Sequence, residues 1–380
     1  VTQNTGAPGG AISVRIRGTN SIQGSNEPLY VVDGFPIFGS NPTVLNNADI
    51  ESIEILKDAS ATAIYGSRGA NGVVIITTKQ GKSGATKVDF ETSYSVQTLR
   101  KKLDLMNGRE YATFYNQQAQ NDRLAPYFTQ DQVNGFDEGY DWQDLVFGNA
   151  PMKTTALNIS GGNDKTQFSV SGSYFGQEGI IKGSDYNRFS LRTNINHKIS
   201  NKFSLNVSST LSKIRTDRRD SEGGSRGSSM ISAAISAPPT LTPYNEDGSY
   251  RILAIAYPFV ATDLINPLNF INEQTTQINA NRILSNAALI FNPIPDITIK
   301  VAGGIENADD RTDSYTSRNF FNSPGQASVL SSQFTSLLNE NTISYNKTFA
   351  GVHSVSFVAG ATYQDFLTQT LGGSGNGFLS

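Results

Sequence analysis

From Val88 onward the chain repeats one pattern, an apolar side chain followed by a polar one. Val88, Phe90, Thr92, Tyr94 and Val96 alternate with Asp89, Glu91, Ser93 and Ser95. Phe168, Val170, Gly172 and Tyr174 alternate with three serines. The same beat runs through residues 189–195, 203–211, 297–305 and 355–363, and more weakly through 155–161, 282–291 and 337–349. A period of two puts successive side chains on opposite faces, so about nine strands are predicted.

A soluble sandwich shows the same alternation, but its polar face is charged and meets bulk water. Here the polar positions are mostly Ser, Asn and Thr, which suits the crowded polar lumen of a transmembrane antiparallel β-barrel. Strands of roughly ten residues are long enough to cross a bilayer when tilted. Tight turns are predicted at 161–164, 199–202, 292–296 and 349–352, with long connections at 99–153, 217–279 and 309–333 and a moderate one at 177–185. Short turns on one side and long loops on the other is the layout of an outer-membrane barrel. The segment 372–380 is expected to lie in a loop.

The first eighty residues follow a different rhythm. Residues 49–79 read as strand, helix, glycine turn, strand. Ile50, Ile53, Ile55 and Leu56 form an apolar run broken by Lys57-Asp58, and Asp58 is positioned to cap a helix over 59–65. Gly66 ends that helix, Gly69 and Gly72 sharpen the turn, and residues 73–78 are a β-branched strand. Residues 11–18 alternate as a strand, with Arg15 and Arg17 on one face ahead of Gly18. Residues 26–37 predict a second strand ending at the Asp33-Gly34 turn signal, with Pro36 reinforcing the stop.

The string from Ile50 to Val73, with Lys57, Asp58, Tyr65, Gly66, Arg68, Gly69, Asn71 and Gly72 in order, closely resembles the plug domain of TonB-dependent outer-membrane transporters of the SusC/RagA branch. The Arg15-Ile16-Arg17-Gly18 and Pro28-to-Gly34 elements match the same plug, and segments 157–162 and 179–188 resemble the early barrel of SusC-type transporters. The resemblance implies a small α/β plug seated in the lumen, with its C-terminal portion over residues 1–82 and the N-terminal part of the barrel, with long external loops, over 83–380. It implies that the plug arginines face lumenal acids on the wall. A family barrel of about twenty-two strands leaves a pore that a folded plug must fill. The chain is accordingly expected to be a piece of a protein more than twice as long, with signal peptide and TonB-contacting box upstream of Val1.

The implied activity is active import of oligosaccharides or peptides. The implied partners are a SusD-like surface lipoprotein, the TonB-ExbB-ExbD complex and outer-membrane lipid. A non-transporting surface receptor or adhesin, and a soluble β-rich glycan-binding protein, are the competing readings. In the first long connection, Asn107 and Glu110 read as a capping box for a short helix whose Tyr111, Phe114 and Tyr115 share one face. Among external aromatics, Tyr127, Phe128, Tyr140 and Trp142 are expected to pack within the loop, with stacking on sugar faces as the alternative.

Composition adds exclusions. A formal net charge of −3 over 380 residues leaves no electrostatic footprint for nucleic acid. The absence of cysteine excludes disulfides and thiolate metal sites and suits export through an oxidising periplasm. No apolar run is long enough for a membrane-spanning helix, which says nothing against a barrel. Only His197 and His353 are present, without metal-ligand or catalytic-triad spacing. Asp309, Asp310 and Asp313 lack the glycine and spacing of a calcium loop and read as a solvated acidic loop. Gly81-Lys82-Ser83 imitates the end of a phosphate loop, but Ile76 stands where its first glycine belongs. No pair of carboxylates is singled out for hydrolysis, so neither enzyme chemistry nor a cofactor is expected.

Overall fold

A computed structural model describes residues 2–3, 7–10, 12–16, 26–38, 45–57, 63–219, 227–349 and 352–378. Two structures dominate it, a long antiparallel wall and a small sheet lying against one face of that wall.

The wall comprises β7 (Gly84–Gln97), β8 (Ala150–Gly162), β9 (Thr166–Glu178), β10 (Asp185–Lys198), β11 (Phe203–Arg218), β12 (Gln274–Ile294), β13 (Ile297–Thr316), β14 (Gln326–Phe349) and β15 (His353–Asn376). These nine strands form one antiparallel sheet in strict sequence order. Each paired element matches a segment where the alternation predicted a strand. The strands run 13 to 24 residues, longer than the roughly ten a bilayer requires. The excess extends them beyond the bilayer toward the long connections. Two expectations are corrected there. Asp309, Asp310 and Asp313 lie within β13, with Asp310 accepting two bonds from Arg282 at 2.7 and 2.9 Å. Residues 372–376 continue β15 and pair with β14 as far as Gln326↔Asn376. Both faces of a strand meet water at that height, so the period of two fades while the backbone ladder continues.

The two faces of the wall differ as the alternation predicted. On β10, Phe189 and Leu191 are 59% and 49% exposed, whereas Arg192 and Asn194 are each 3% exposed. Outward rings gather at two heights. Phe203 stacks on Phe291 at 4.4 Å beside the tight turns, and Tyr174 meets Phe189 at 4.8 Å toward the opposite end. An apolar band between two aromatic girdles is what a lipid-facing wall requires.

The small sheet holds β3 (Leu29–Val32), β4 (Phe35–Ile37), β5 (Ile50–Leu56) and β6 (Val73–Thr78) in the order β4-β3-β6-β5. β3 and β6 are parallel, and the other pairings are antiparallel. The segment expected as one strand over 26–37 is a hairpin. Asp33 and Gly34 take positive φ angles of 47° and 81°, the pair a tight two-residue hairpin turn needs, and the chain returns as β4. Pro36 does not stop the strand, because β4 is the sheet's edge and needs no further amide there. Of the alternating strand expected over 11–18, residues 12–16 are described, and among them Ile12–Ser13 form β2, paired with β1 (Thr2–Gln3). Most of the helix expected over 59–65, with its cap Asp58, lies outside the described residues. What is described, Ala63–Gly69, is a tight 3-10 turn broken at Gly66, whose φ of 60° replaces the expected helix end with a kink. Tyr30, Val32, Phe35, Ile37, Leu45, Val74 and Ile76 share one core with Leu284 and Leu338 of the wall.

The long connections fold into a cap at the far end of the wall. It contains α1 (Gly108–Asn121), α2 (Gln130–Gly135), α3 (Trp142–Val146), α4 (Met230–Ser236) and α5 (Pro267–Asn272). The expected capping box is present. The Asn107 side chain accepts from the Glu110 amide at 2.9 Å, and the Glu110 carboxylate accepts from the Asn107 amide at 3.0 Å. Residues 220–226, in the connection expected over 217–279, lie outside the described residues.

Candidate functional site: the seam between the small sheet and the wall

Inward side chains of the wall, on a face that the sequence reads as mostly Ser, Asn and Thr, converge on the small sheet. At the centre is Arg192 of β10, buried and paired with the Asp33 carboxylate, itself buried. Arg192 Nη2 also reaches Thr78 Oγ1 at 2.7 Å and Ser208 Oγ at 2.9 Å, while Nη1 donates to Thr210 Oγ1. Asp33 accepts from the Thr78 amide at 2.9 Å, the Thr78 hydroxyl at 2.7 Å and the Ser208 hydroxyl at 3.1 Å. Asn194 Nδ2 donates to Thr78 Oγ1 at 3.0 Å and to the Lys79 carbonyl at 2.9 Å. Arg192 Nε has no hydrogen-bond partner among the described residues.

Further bonds flank this centre. Ser171 of β9 donates to Asp49 at 2.6 Å, and Asn196 donates to Gln80 at 2.6 Å. On β13 the fully buried Glu306 accepts from the Phe38 amide at 2.9 Å. Shape is matched as well: a Cβ on inward-facing Gly304 would run into the ring of Phe35. Arg68 donates to Gln364 at 2.5 Å and covers Phe38, whose ring meets Phe366 of β15 edge-on at 5.2 Å. Among the described residues the interface is thus a buried layer of carboxylates, the Arg192 guanidinium, amides and hydroxyls, with an apolar patch beside it.

Of the two expected plug arginines only Arg15 is described, and it does not reach this seam. Arg15 is exposed and outside any strand, and Arg17 and Gly18 lie outside the described residues, as does Asp58. At the Arg192–Asp33 centre the wall supplies the arginine and the small sheet the carboxylate, while Glu306 is a buried carboxylate of the wall. Of the other motif residues, Asp33 and Gly34 form the hairpin turn, and Lys57 is exposed. Tyr65 packs against the Leu29, Val31 and Val73 core. Gly69 is buried, Gly72 (φ 94°) lies against Ile16, and Asn71 donates to the Glu27 carbonyl at 3.4 Å. Sequence reasoning missed Arg192, Thr78, Asn194, Asp49, Ser171 and Glu306. The available signal was a lone arginine on the otherwise neutral inward face of residues 189–195.

In the cap, Trp142 is buried with its Nε1 donating to the Pro238 carbonyl at 2.9 Å, and Phe128 is buried against Phe136 and Tyr257. Tyr127 packs on Phe259 at 4.7 Å, and Tyr140 is exposed at a cavity of about 650 Å³. Burial, with Tyr115 beside it, holds the Tyr111 hydroxyl well above the usual tyrosine range. Burial also pushes the Tyr250 hydroxyl up to about 12, where it donates to Glu273 at 2.8 Å. Burial raises the Asp141 carboxyl, but bonds from Lys102 and the Gln143 amide outweigh that and hold it below the ordinary range. Among the described residues there is no cluster of His, Asp or Glu that would hold a metal ion.

Residues 1–73 match the family model described as TonB-dependent Receptor Plug Domain. The chain is 33% identical over 369 residues to TonB-dependent receptor P3 of Formosa agariphila, covering 96% of this chain and 35% of that protein. It is 39% identical over 203 residues to TonB-dependent receptor SusC of Bacteroides thetaiotaomicron, covering 51% of this chain and 19% of SusC. The chain therefore spans about a third of the length of the relative it matches almost end to end. Among solved structures, the RagAB peptide importer in its open-open state superposes with a TM-score of 0.84 at 26% identity, over all of this chain and 45% of that one. The unliganded ferric citrate transporter FecA superposes at 0.59 with 12% identity, a likeness of fold alone.

Proposed function

Since this chain belongs to the SusC/RagA family of TonB-dependent outer-membrane proteins, with a plug and nine strands of barrel wall, we propose that the whole protein is an active importer of oligosaccharides or peptides. Its relatives are receptors and transporters, and it is not an enzyme. Residues 1–82 serve as the C-terminal portion of the plug and residues 83–380 as the N-terminal part of the barrel, its apolar outer band against outer-membrane lipid.

The observation that carries this reading is the polar seam. A filler meant to stay would be held better by apolar packing, since a buried ion pair contributes little net stability against a well-packed apolar substitute. Arg192, Asp33, Thr78 and Asn194 instead present groups that water can satisfy once the surfaces part. In this reading TonB, driven by ExbB and ExbD, pulls the plug, and the seam exchanges protein partners for water. A SusD-like lipoprotein lids the cap, and Tyr140 is the external aromatic placed to meet ligand.

The test is uptake of labelled oligosaccharide and peptide pools by cells carrying the full-length protein and its neighbouring lipoprotein. Uptake should stop when proton motive force is dissipated or TonB is deleted. Uptake that continues unchanged contradicts the proposal, and binding without uptake establishes the receptor reading instead.

A further inference from the structure

The cap cavity of about 650 Å³ lies between α1, the strand-to-helix segment 103–107, residues 138–143 and the end of α4. Its rim is apolar and exposed: Leu103, Leu105, Met106, Phe114 and Tyr140 all present side chains to solvent. Its charged lining is entirely acidic, with Asp104, Glu110, Glu138 and Asp141 and neither Lys, Arg nor His. Two of these carboxylates are committed: Asp141 to Lys102, and Glu110 to the Asn107 amide. Asp104 and Glu138 have no side-chain partner among the described residues.

The donors of the lining are all neutral: the Asn107 amide nitrogen and the Tyr111, Tyr115, Tyr140 and Ser236 hydroxyls. Asn107 spends its side-chain oxygen on Glu110, and Gln143 exchanges both of its polar atoms with the Leu103 backbone at 2.9 and 3.0 Å. Trp142 donates to Pro238 and is closed off. A sugar presents hydroxyls that need donors and acceptors in alternation. This wall sets four carboxylates and apolar ring faces beside those few neutral donors, with no cation in the lining. The chemistry that complements it is a donor-only cation on an apolar stem, with the stem on Phe114, Met106 and Tyr140 and the charge at Asp104 and Glu138.

We propose that this cavity is a subsite for a lysine or arginine side chain of a peptide substrate, so that the imported class is basic oligopeptides rather than oligosaccharides. The proposal rests on the importer reading and names its cargo.

The test uses the full-length protein in detergent, titrated calorimetrically with a hexapeptide containing two lysines, its lysine-acetylated form, and maltohexaose. The lysine peptide should bind and weaken with added salt. Acetylation should weaken it about tenfold, as should the double variant Asp104→Asn with Glu138→Gln, at about threefold for each exposed pair. Phe114→Ala should cost about threefold through lost contact with the cation and its stem. Phe114, Asp104 and Glu138 are exposed and outside the cap's cores, so these variants should melt like the parent. Equal binding of the lysine and acetyl-lysine peptides, an unchanged affinity in the double variant, or binding of maltohexaose alone overturns the subsite. Charge-independent binding with energised uptake would remove the subsite and leave the importer. Charge-dependent binding without uptake would do the reverse.

Discussion

The plug seam and the external cap are both assembled from segments far apart in the chain, and they are held by opposite means. The seam is polar: Asp33, Thr78, Arg192 and Asn194 satisfy one another in a dry layer, and Arg192 Nε is left over. The cap is apolar. Trp142 and Val146 from the connection between β7 and β8, Met230, Leu253, Leu264 and Phe270 from that between β11 and β12, with Ile181 and Phe320 from those between β9 and β10 and between β13 and β14, form a single core. Apolar packing of that kind loses its stabilisation wherever it opens. A polar layer can be rehydrated group by group. The contrast assigns permanence to the cap and separability to the plug.

That contrast breaks first at Arg192. Arg192→Ala leaves the Asp33 carboxylate buried without its counter-ion, a change expected to cost roughly 3–5 kcal/mol in plug seating. Protease sensitivity of plug residues, and entry of an antibiotic normally too large for the closed pore, should both rise. Arg192→Lys should restore part of each. In the cap, Leu253→Ala removes a fully buried side chain and is expected to cost about 3 kcal/mol. It should lower the melting temperature of the loops without opening the plug. If Leu253→Ala also opens the plug, the two regions are not independent.

Two smaller effects sharpen the picture. Asn107→Ala removes one half of the capping box on α1 and should cost about 1 kcal/mol, read as faster amide exchange in residues 108–112. The Asp141 carboxyl is held below its ordinary value in the folded cap, so its contribution is fully present above the ordinary carboxyl range. That contribution is lost as pH falls through the lowered value. Cap melting followed from pH 7 to pH 3 should therefore decline at the acid end, and less so in Lys102→Met.

The wall was legible from sequence because lipid on one face and plug on the other impose a strict period of two, seen in Phe189-Ser190-Leu191-Arg192. Strand ends were not legible. Beyond the bilayer, at Asp309–Asp313 and 372–376, neither face is constrained, and only backbone pairing marks the strand. The plug's motif residues were visible as a string, but their roles were not. Asp33 looked like a turn residue, and it is one; that it also receives Arg192, 159 positions along the chain, is a fact of tertiary packing alone. Trp142 and Phe128 could not be placed by type, since a loop aromatic reads the same whether it faces ligand or core.

The central claim is that a polar-faced, plug-filled wall meets lipid with its other face. Single cysteines can be spin-labelled one at a time along residues 189–195 of the full-length protein in outer-membrane vesicles, in a background with any cysteine outside these 380 cysteine-free residues replaced. Labels at 189, 191 and 195 should be reached by oxygen from the lipid and shielded from a water-soluble nickel chelate, while labels at 190 and 194 should be reached by neither until the plug moves. The opposite alternation, or none, would contradict the account.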